Sequence, residues 1–405
     1  MYPGRHPYTQ GMRYSQQEIK MPMNFRKPTL YSSVFALQGL SNAVIPVLPE
    51  LAGNSGSSAI STLIFSGYFM GALLTLVPLG ILADRIGNLK MLRFGMLLTA
   101  FTGSFIAFSD NLWILGISRF LEGVGCGAFF PAAFSIIAEW EDSQQSLGEF
   151  NFLLNAGLAA GVLFSGLLAG FGIKTAIISF TFLAFLFCIL LISEAGEQLV
   201  PNRIGKKFTL PENRNPTRNQ QDLPLLHEIR SCLEKTIESL LKTDLGKILG
   251  ITILLYGATG LITANYADYS AGFLTKPELG LAISASYLAA MLSSLIAGRI
   301  AVNSKNIVKA GIVLASAGIF LSVKLPLLAF FLMGTGGGTA VVGLIMAVSR
   351  ISSSGFAMGI FNTGIYAGLG LGPIFGSFFL EPFGYETVFL GSAFVLLATL
   401  FVELE

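Results

Sequence analysis

The stretch Phe120-Leu121-Glu122-Gly123-Val124-Gly125-Cys126-Gly127 returns 211 residues later as Phe331-Leu332-Met333-Gly334-Thr335-Gly336-Gly337-Gly338. The same shift carries Phe150-Asn151 onto Phe361-Asn362, Gly157 onto Gly368 and Gly161 onto Gly372. A shift of 212 then takes Phe171-Gly172 onto Phe383-Gly384. Apolar bias alone does not hold one offset across two long segments and the link between them. The chain therefore reads as two parallel repeats.

Both copies lie in apolar runs long enough to cross about 30 Å of hydrocarbon as helix. Six runs precede a polar break, at 30–49, 59–82, 89–108, 112–138, 147–170 and 173–193. Six follow it, at 246–272, 279–301, 306–323, 325–348, 355–380 and 386–403. Their length and the lack of period-two alternation exclude strands. The expected fold is an all-α polytopic membrane protein of twelve transmembrane helices. Residues 29–194 and 246–405 form two six-helix bundles related by an axis along the membrane normal. Residues 1–28 are polar and too long for the front of a cleaved signal peptide, so they read as a cytoplasmic tail. The break at 195–245 reads as a cytoplasmic linker. Its first part is Pro/Asn-rich, and Leu225 to Lys242 carries apolar residues at helical spacing. That pattern fits an amphipathic helix on the membrane face or a plain tether with one solvated helix.

Composition agrees. Hydrophobic residues are 53% of the 405 positions and charged residues 12%, with a mean hydropathy of +0.69. A soluble domain carries about a quarter charged residues, so a water-wetted globule is excluded. The 34 Phe and 46 Gly suit helices packed in lipid. Twenty-one of the 25 Lys and Arg fall in the amino-terminal tail, the links after spans two, eight and ten with their flanks, and the central break. By the positive-inside rule that side is cytoplasmic, with both termini on it. Cys126, Cys188 and Cys232 have no paired spacing and read as incidental thiols. His6 and His227 lie outside the apolar runs, so no metal ligand set and no buried histidine proton carrier is expected.

Between spans two and three stands Gly80-Ile81-Leu82-Ala83-Asp84-Arg85-Ile86-Gly87-Asn88-Leu89-Lys90. It resembles the major-facilitator signature G-x-x-x-D-R-x-G-R-R and departs from it at the last two arginines. The resemblance implies a cytoplasmic gating latch made by Gly80, Asp84, Arg85 and Gly87. Asp84 would face the amino end of helix 11, where the dipole favours an anion, and Arg85 would pair with Glu139. Arg119-Phe120-Leu121-Glu122-Gly123-Val124-Gly125 is similar to the family's R-x-x-x-G-x-G pattern in helix 4. Gly368, Gly372, Pro373 and Gly376 are close to the helix-packing pattern G-x-x-x-G-P-x-x-G-G. Helix 5 keeps Gly157 and Gly161 but has Val162 in place of the proline. Ile45-Pro46-Val47-Leu48-Pro49 looks like the end of helix 1 in bacterial multidrug and tetracycline-type exporters of the drug:proton antiporter branch.

The charged residues inside spans narrow the chemistry. Arg119 costs at least about 2.5–3.5 kcal/mol at a span centre unless compensated, so it must face protein or water. Glu122, three residues on, shares its helix face. The pair reads either as a proton-coupling site or as a self-neutralising structural pair. Asp268, near the outer end of span seven, reads as wetted or as a second protonation site. Asn151 and Asn155 lie four apart on helix 5, and their repeat mates Asn362 and Tyr366 form the same stripe on helix 11. These are expected to line a central cavity, with Gln38, Asn42, Tyr256, Asn265, Tyr68 and Tyr287 as further candidates; ordinary interhelical hydrogen bonds, worth about 0.6 kcal/mol each, are the alternative.

The expected function is secondary transport by alternating access, as proton-coupled export of small apolar or amphipathic compounds. Uptake or facilitated diffusion of a neutral metabolite and a non-transporting membrane sensor are the alternatives. No ATP-binding loop is present, so a proton gradient replaces any cofactor. The expected partners are a small-molecule substrate, protons and the bilayer of the cell membrane. No nucleic acid is involved, and the monomer is expected to suffice.

Overall fold

The computed structural model describes residues 26–53, 58–193, 244–300, 302–351 and 355–402. The tail at 1–25 and the linker at 195–243, with the helical pattern at Leu225 to Lys242, lie outside the described residues. All the long elements described are helices. They are α1 (Arg26–Ala43), α2 (Ser58–Ile86), α3 (Asn88–Phe108), α4 (Leu112–Ala138), α5 (Ser143–Leu168), α6 (Thr175–Ser193), α7 (Leu245–Tyr269), α8 (Lys276–Ala297), α9 (Ser304–Leu321) and α10 (Pro326–Ile351). The last stretch, Gly355–Ala398, is continuous helix except at Gly384, whose φ of 75° divides it into α11 (355–383) and α12 (385–398). Among the described residues, eleven stretches are long and apolar enough to span a membrane, and the last of them holds this pair. The chain is a multi-pass membrane protein.

Local chemistry sets the boundaries. After Ala43 the first span tightens into a 3-10 turn, Ile45–Val47, and a short helix, Leu48–Leu51. Pro46 and Pro49 are the second residues of these turns, within the first turn where a missing N–H costs little. Asn111 caps α4 by accepting the amides of Trp113 and Ile114. Gly87 starts α3 at φ 106°, a conformation open to glycine and strained for other residues. Thr275 and Glu278 form a reciprocal capping box at the start of α8.

The repeat is visible in the packing. Helix pairs α2–α4, α3–α4, α1–α5 and α3–α6 of the first half recur as α8–α10, α9–α10, α7–α11 and α9–α12. The main contacts between halves are α2–α11 and α5–α8, which exchange under the same repeat. The quoted glycine stretch shows why its spacing is kept. Gly123 and Gly127 lie against Tyr68 and Thr75 of α2, while Gly125, on another face, lies against Gly95 and Thr99 of α3. Their mates do the same: Gly334 and Gly338 meet Ser286 and Ala290 of α8, and Gly336 meets Gly311 and Ala315 of α9. α4 and α10 are thus wedged between two neighbours at backbone contact. Only residues without a Cβ permit that approach.

Candidate functional site

Arg119 and Glu122 are sealed inside the first bundle, 2% and 0% exposed. Arg119 Nη1 donates to Glu122 Oε2 at 2.5 Å, and Arg119 Nε donates to the Ile64 carbonyl of α2 at 3.3 Å. The guanidinium also sits 5.0 Å from the centre of the Tyr68 ring, a cation–π contact that helps offset desolvation. Glu122 Oε1 is buried without a hydrogen-bond partner. A carboxylate with one satisfied and one orphaned oxygen is an uneasy resident of the bundle, since unsatisfied buried acceptors cost about 1–3 kcal/mol or more.

One turn along α4 from Glu122 lies Cys126, buried and reduced. Its sulfur is 3.5 Å from the Tyr366 hydroxyl of α11, across the seam between the halves. The Tyr68 hydroxyl lies against the same cysteine and donates to Gln38 Oε1 of α1 at 3.2 Å. Phe69 packs on the Tyr366 ring with centroids 6.4 Å apart. A polar chain therefore runs from Gln38 through Tyr68 and Cys126 to Tyr366, with the Arg119–Glu122 pair beneath its middle.

The other candidate residues fall in different places. Asn42 is buried, donates to the Leu158 carbonyl of α5 at 3.3 Å, and meets the Tyr287 hydroxyl of α8 across the seam. Asn151 is exposed, and Asn155 donates its amide to the Asn151 carbonyl at 2.9 Å. Tyr256 and Asn362 are half-buried. Asn265 is fully buried and accepts from Thr62 of α2 at 2.8 Å, in the seam near the ends of both helices. Gly80 packs on Pro131 of α4, while Asp84, Arg85 and Glu139 lie exposed at the ends of α2 and α4.

The packing glycines form two matched clamps. A Cβ on Gly157 would stand 2.5 Å from the Phe35 carbonyl, and Gly161 abuts Gly39, both on α1. Gly368 abuts Ile253 and Gly372 abuts Gly257 on α7, with Gly376 beside Leu261 and Pro373 beside Gly260. Three residues of the seam were not singled out by the sequence as functional: Cys126, Glu50 and Lys276. Lys276 Nζ donates to the Pro46 carbonyl at 2.7 Å and pairs with Glu50 Oε1 at 2.8 Å, joining the start of α8 to the short helix after α1. Asp268 lies against Ser61 within electrostatic reach of both. These contacts close the end of the seam opposite the termini.

Known proteins share this architecture. The nucleoside transporter NupG superposes with a TM-score of 0.68 at 15% identity, covering 93% of this chain and 99% of that one. The human organic anion transporter MFSD10 gives 0.64 at 14% identity, covering 93% and 98%. By sequence, the multi-drug resistance efflux pump PmrA of Streptococcus pneumoniae is 26% identical over 86% of this chain and 88% of its own length. Shorter matches reach a putative inorganic phosphate cotransporter of Drosophila melanogaster, 33% identical over 29% of this chain, and the multidrug resistance protein MdtL of Shewanella oneidensis, 36% identical over 24%. Those two alignments span about a quarter of each relative, 23% and 25% of its length. The model of the Major Facilitator Superfamily matches residues 30–231 and 248–404. With nearly all of the membrane region matched and both halves built on the same helix pairs, the chain belongs to the Major Facilitator Superfamily.

Proposed function

We propose that this chain exports small apolar or amphipathic compounds in exchange for protons, with Glu122 as the carboxylate that takes up and releases the coupling proton. The observation that carries the reading is the Arg119–Glu122 pair: fully buried, half-satisfied and next to the polar chain that reaches Tyr366 across the seam. When protonated, Glu122 releases Arg119 from its strongest partner. The guanidinium then leans on Tyr68 and the Ile64 carbonyl, which links charge at the site to the α2–α4 contact. A binding region with so few charges suits neutral or weakly charged substrates. The likeness to a multi-drug efflux pump over 86% of this chain points the same way.

The remaining roles follow from this reading. The basic side of the membrane, with both termini, is cytoplasmic. Gly80, Asp84, Arg85, Gly87 and Glu139 form the latch at that side. Tyr366, Asn362, Tyr256, Asn155 and Asn151 border the route between the halves, and the monomer is the working unit. Reconstituted protein in proteoliposomes with an imposed pH gradient provides the test. Substrate flux that follows the gradient in the wild type and collapses in Glu122→Gln is expected. Flux indifferent to the gradient would replace exchange by facilitated diffusion. An unaltered gradient response in Glu122→Gln would remove that residue from coupling.

A further inference from the structure

Lys276 occupies an unfavourable place for a cation. It is the first residue of α8, where the helix dipole presents its positive end. Its charge is nevertheless held fast by both oxygens of Glu50, at 2.8 and 2.9 Å, and by the Pro46 carbonyl at 2.7 Å. These acceptors belong to the first half, and Lys276 to the second. The surroundings of the pair are close: Gly280, one turn into α8, would place a Cβ 2.9 Å from the Val162 carbonyl and 3.1 Å from the Gly166 Cα of α5. Thr62 and Asn265 bind across the same end of the seam. Opening the two halves at this end must therefore part Lys276 from Glu50.

A lysine parted from its carboxylate at a helix amino terminus needs another anion. Asp268, on α7 of the same half, is the one at hand: it lies within electrostatic reach of Lys276 and Glu50, and its Oδ2 is buried without a hydrogen-bond partner. Its other near neighbour is Ser61 of α2, which carries no charge. We propose that Lys276 is an exchange residue of the outer gate, bound to Glu50 when that end is closed and to Asp268 when it is open, and that a proton arriving at Asp268 drives closure. The sign follows from the charges. An ionised Asp268 competes with Glu50 for Lys276 and favours opening. A protonated Asp268 no longer competes, so Lys276 returns to Glu50 and the halves close. The proposal deepens the proton-exchange reading and rests on it for its physiological driver. Gate accessibility is measured without flux, so either can fail alone.

The test places a reporter cysteine at Ser66, fully buried on α2 one turn below Thr62, in full-length protein whose native cysteines are replaced by serine. Labelling by a membrane-impermeant maleimide from the lysine-poor side reads opening. In the parent, labelling should fall several-fold as the medium is acidified. Lys276→Gln should raise labelling several-fold and abolish its pH response. Asp268→Asn should hold labelling low at every pH. The swapped pair Glu50→Lys with Lys276→Glu should restore low labelling, which separates a lost gate from a misfolded protein. Parent-like labelling in Lys276→Gln overturns the gate, and a parent-like pH response in Asp268→Asn overturns the exchange.

Discussion

The Tyr366 hydroxyl of α11 touches the Cys126 sulfur of α4 at 3.5 Å, and Cys126 stands one helical turn from Glu122. This contact is where the second half meets the buried ion pair of the first. If protonation of Glu122 is to be felt across the seam, this contact offers a route. Removing the Tyr366 hydroxyl in Tyr366→Phe is therefore expected to reduce gradient-driven flux by a few-fold, since one such hydrogen bond is worth about 1 kcal/mol. Cys126→Ser should keep most of the flux and Cys126→Ala should match Tyr366→Phe. Equal losses in the two single variants and the double variant, measured as initial rates in proteoliposomes, would mark one shared contact.

Arg119 and Glu122 also make a stability prediction that is separate from transport. Arg119→Ala leaves Glu122 buried and unpaired, and breaking such a pair from one side costs about 3–5 kcal/mol. Arg119→Met together with Glu122→Leu removes both charges and should recover most of that loss. Thermal unfolding of the purified protein in detergent reads the difference. A single variant as stable as the double would show that water or lipid headgroups reach the site.

How much of this was legible follows from the physics of each residue. The ion pair could be read directly, because two charges in a long apolar run have few tolerable explanations. The repeat was equally visible, since the glycines at 123, 125 and 127 are fixed by backbone contact on two helix faces and recur at 334, 336 and 338. Cys126 gave no signal, because a thiol is at home anywhere in an apolar core. Asn265 was grouped with the cavity candidates, whereas its amide oxygen binds Thr62 near the end of the seam. Periodicity assigns a helix face but neither the depth nor the neighbour that face meets. Glu50 and Lys276, 226 residues apart, lie at the ends of separate spans. Only the assembled halves bring them together.

The glycine clamps make opposite predictions at close and open positions. Gly161 and Gly372 abut Gly39 and Gly257, so a leucine at either must push α5 from α1 or α11 from α7. Overpacking of this kind costs about 1–3 kcal/mol. Gly148 and its mate Gly359, by contrast, have nothing within 4 Å of the point where a Cβ would stand. Alanine at those two sites should leave stability unchanged or raise it by up to about 1 kcal/mol through helix propensity. Melting temperatures of the four variants should fall into these two groups.

The start of α1 is tied to the α4–α5 link by Lys27, which donates to Asp142 and lies 5.2 Å from the centre of the Trp140 ring. The hydrogen bond from Lys27 holds the Asp142 carboxyl below its usual range. A carboxyl with a folded-state pKa below its unfolded value binds protons more readily when the protein unfolds. Its contribution to stability is therefore complete above the ordinary carboxylate range, about 3.9, and is lost as the pH falls beneath it. Asp110, lowered in the same way by Lys174 on the opposite face, adds a contribution of the same sign. Asp110 is solvent-exposed and Asp142 partly so, so each effect is small and is screened by salt. Melting curves of the wild type should be flat through neutrality and should drop on strong acidification. Asp142→Asn with Asp110→Asn should shallow that acid-side drop while leaving the neutral plateau level. An identical acid limb in the double variant would assign acid sensitivity to other carboxyls.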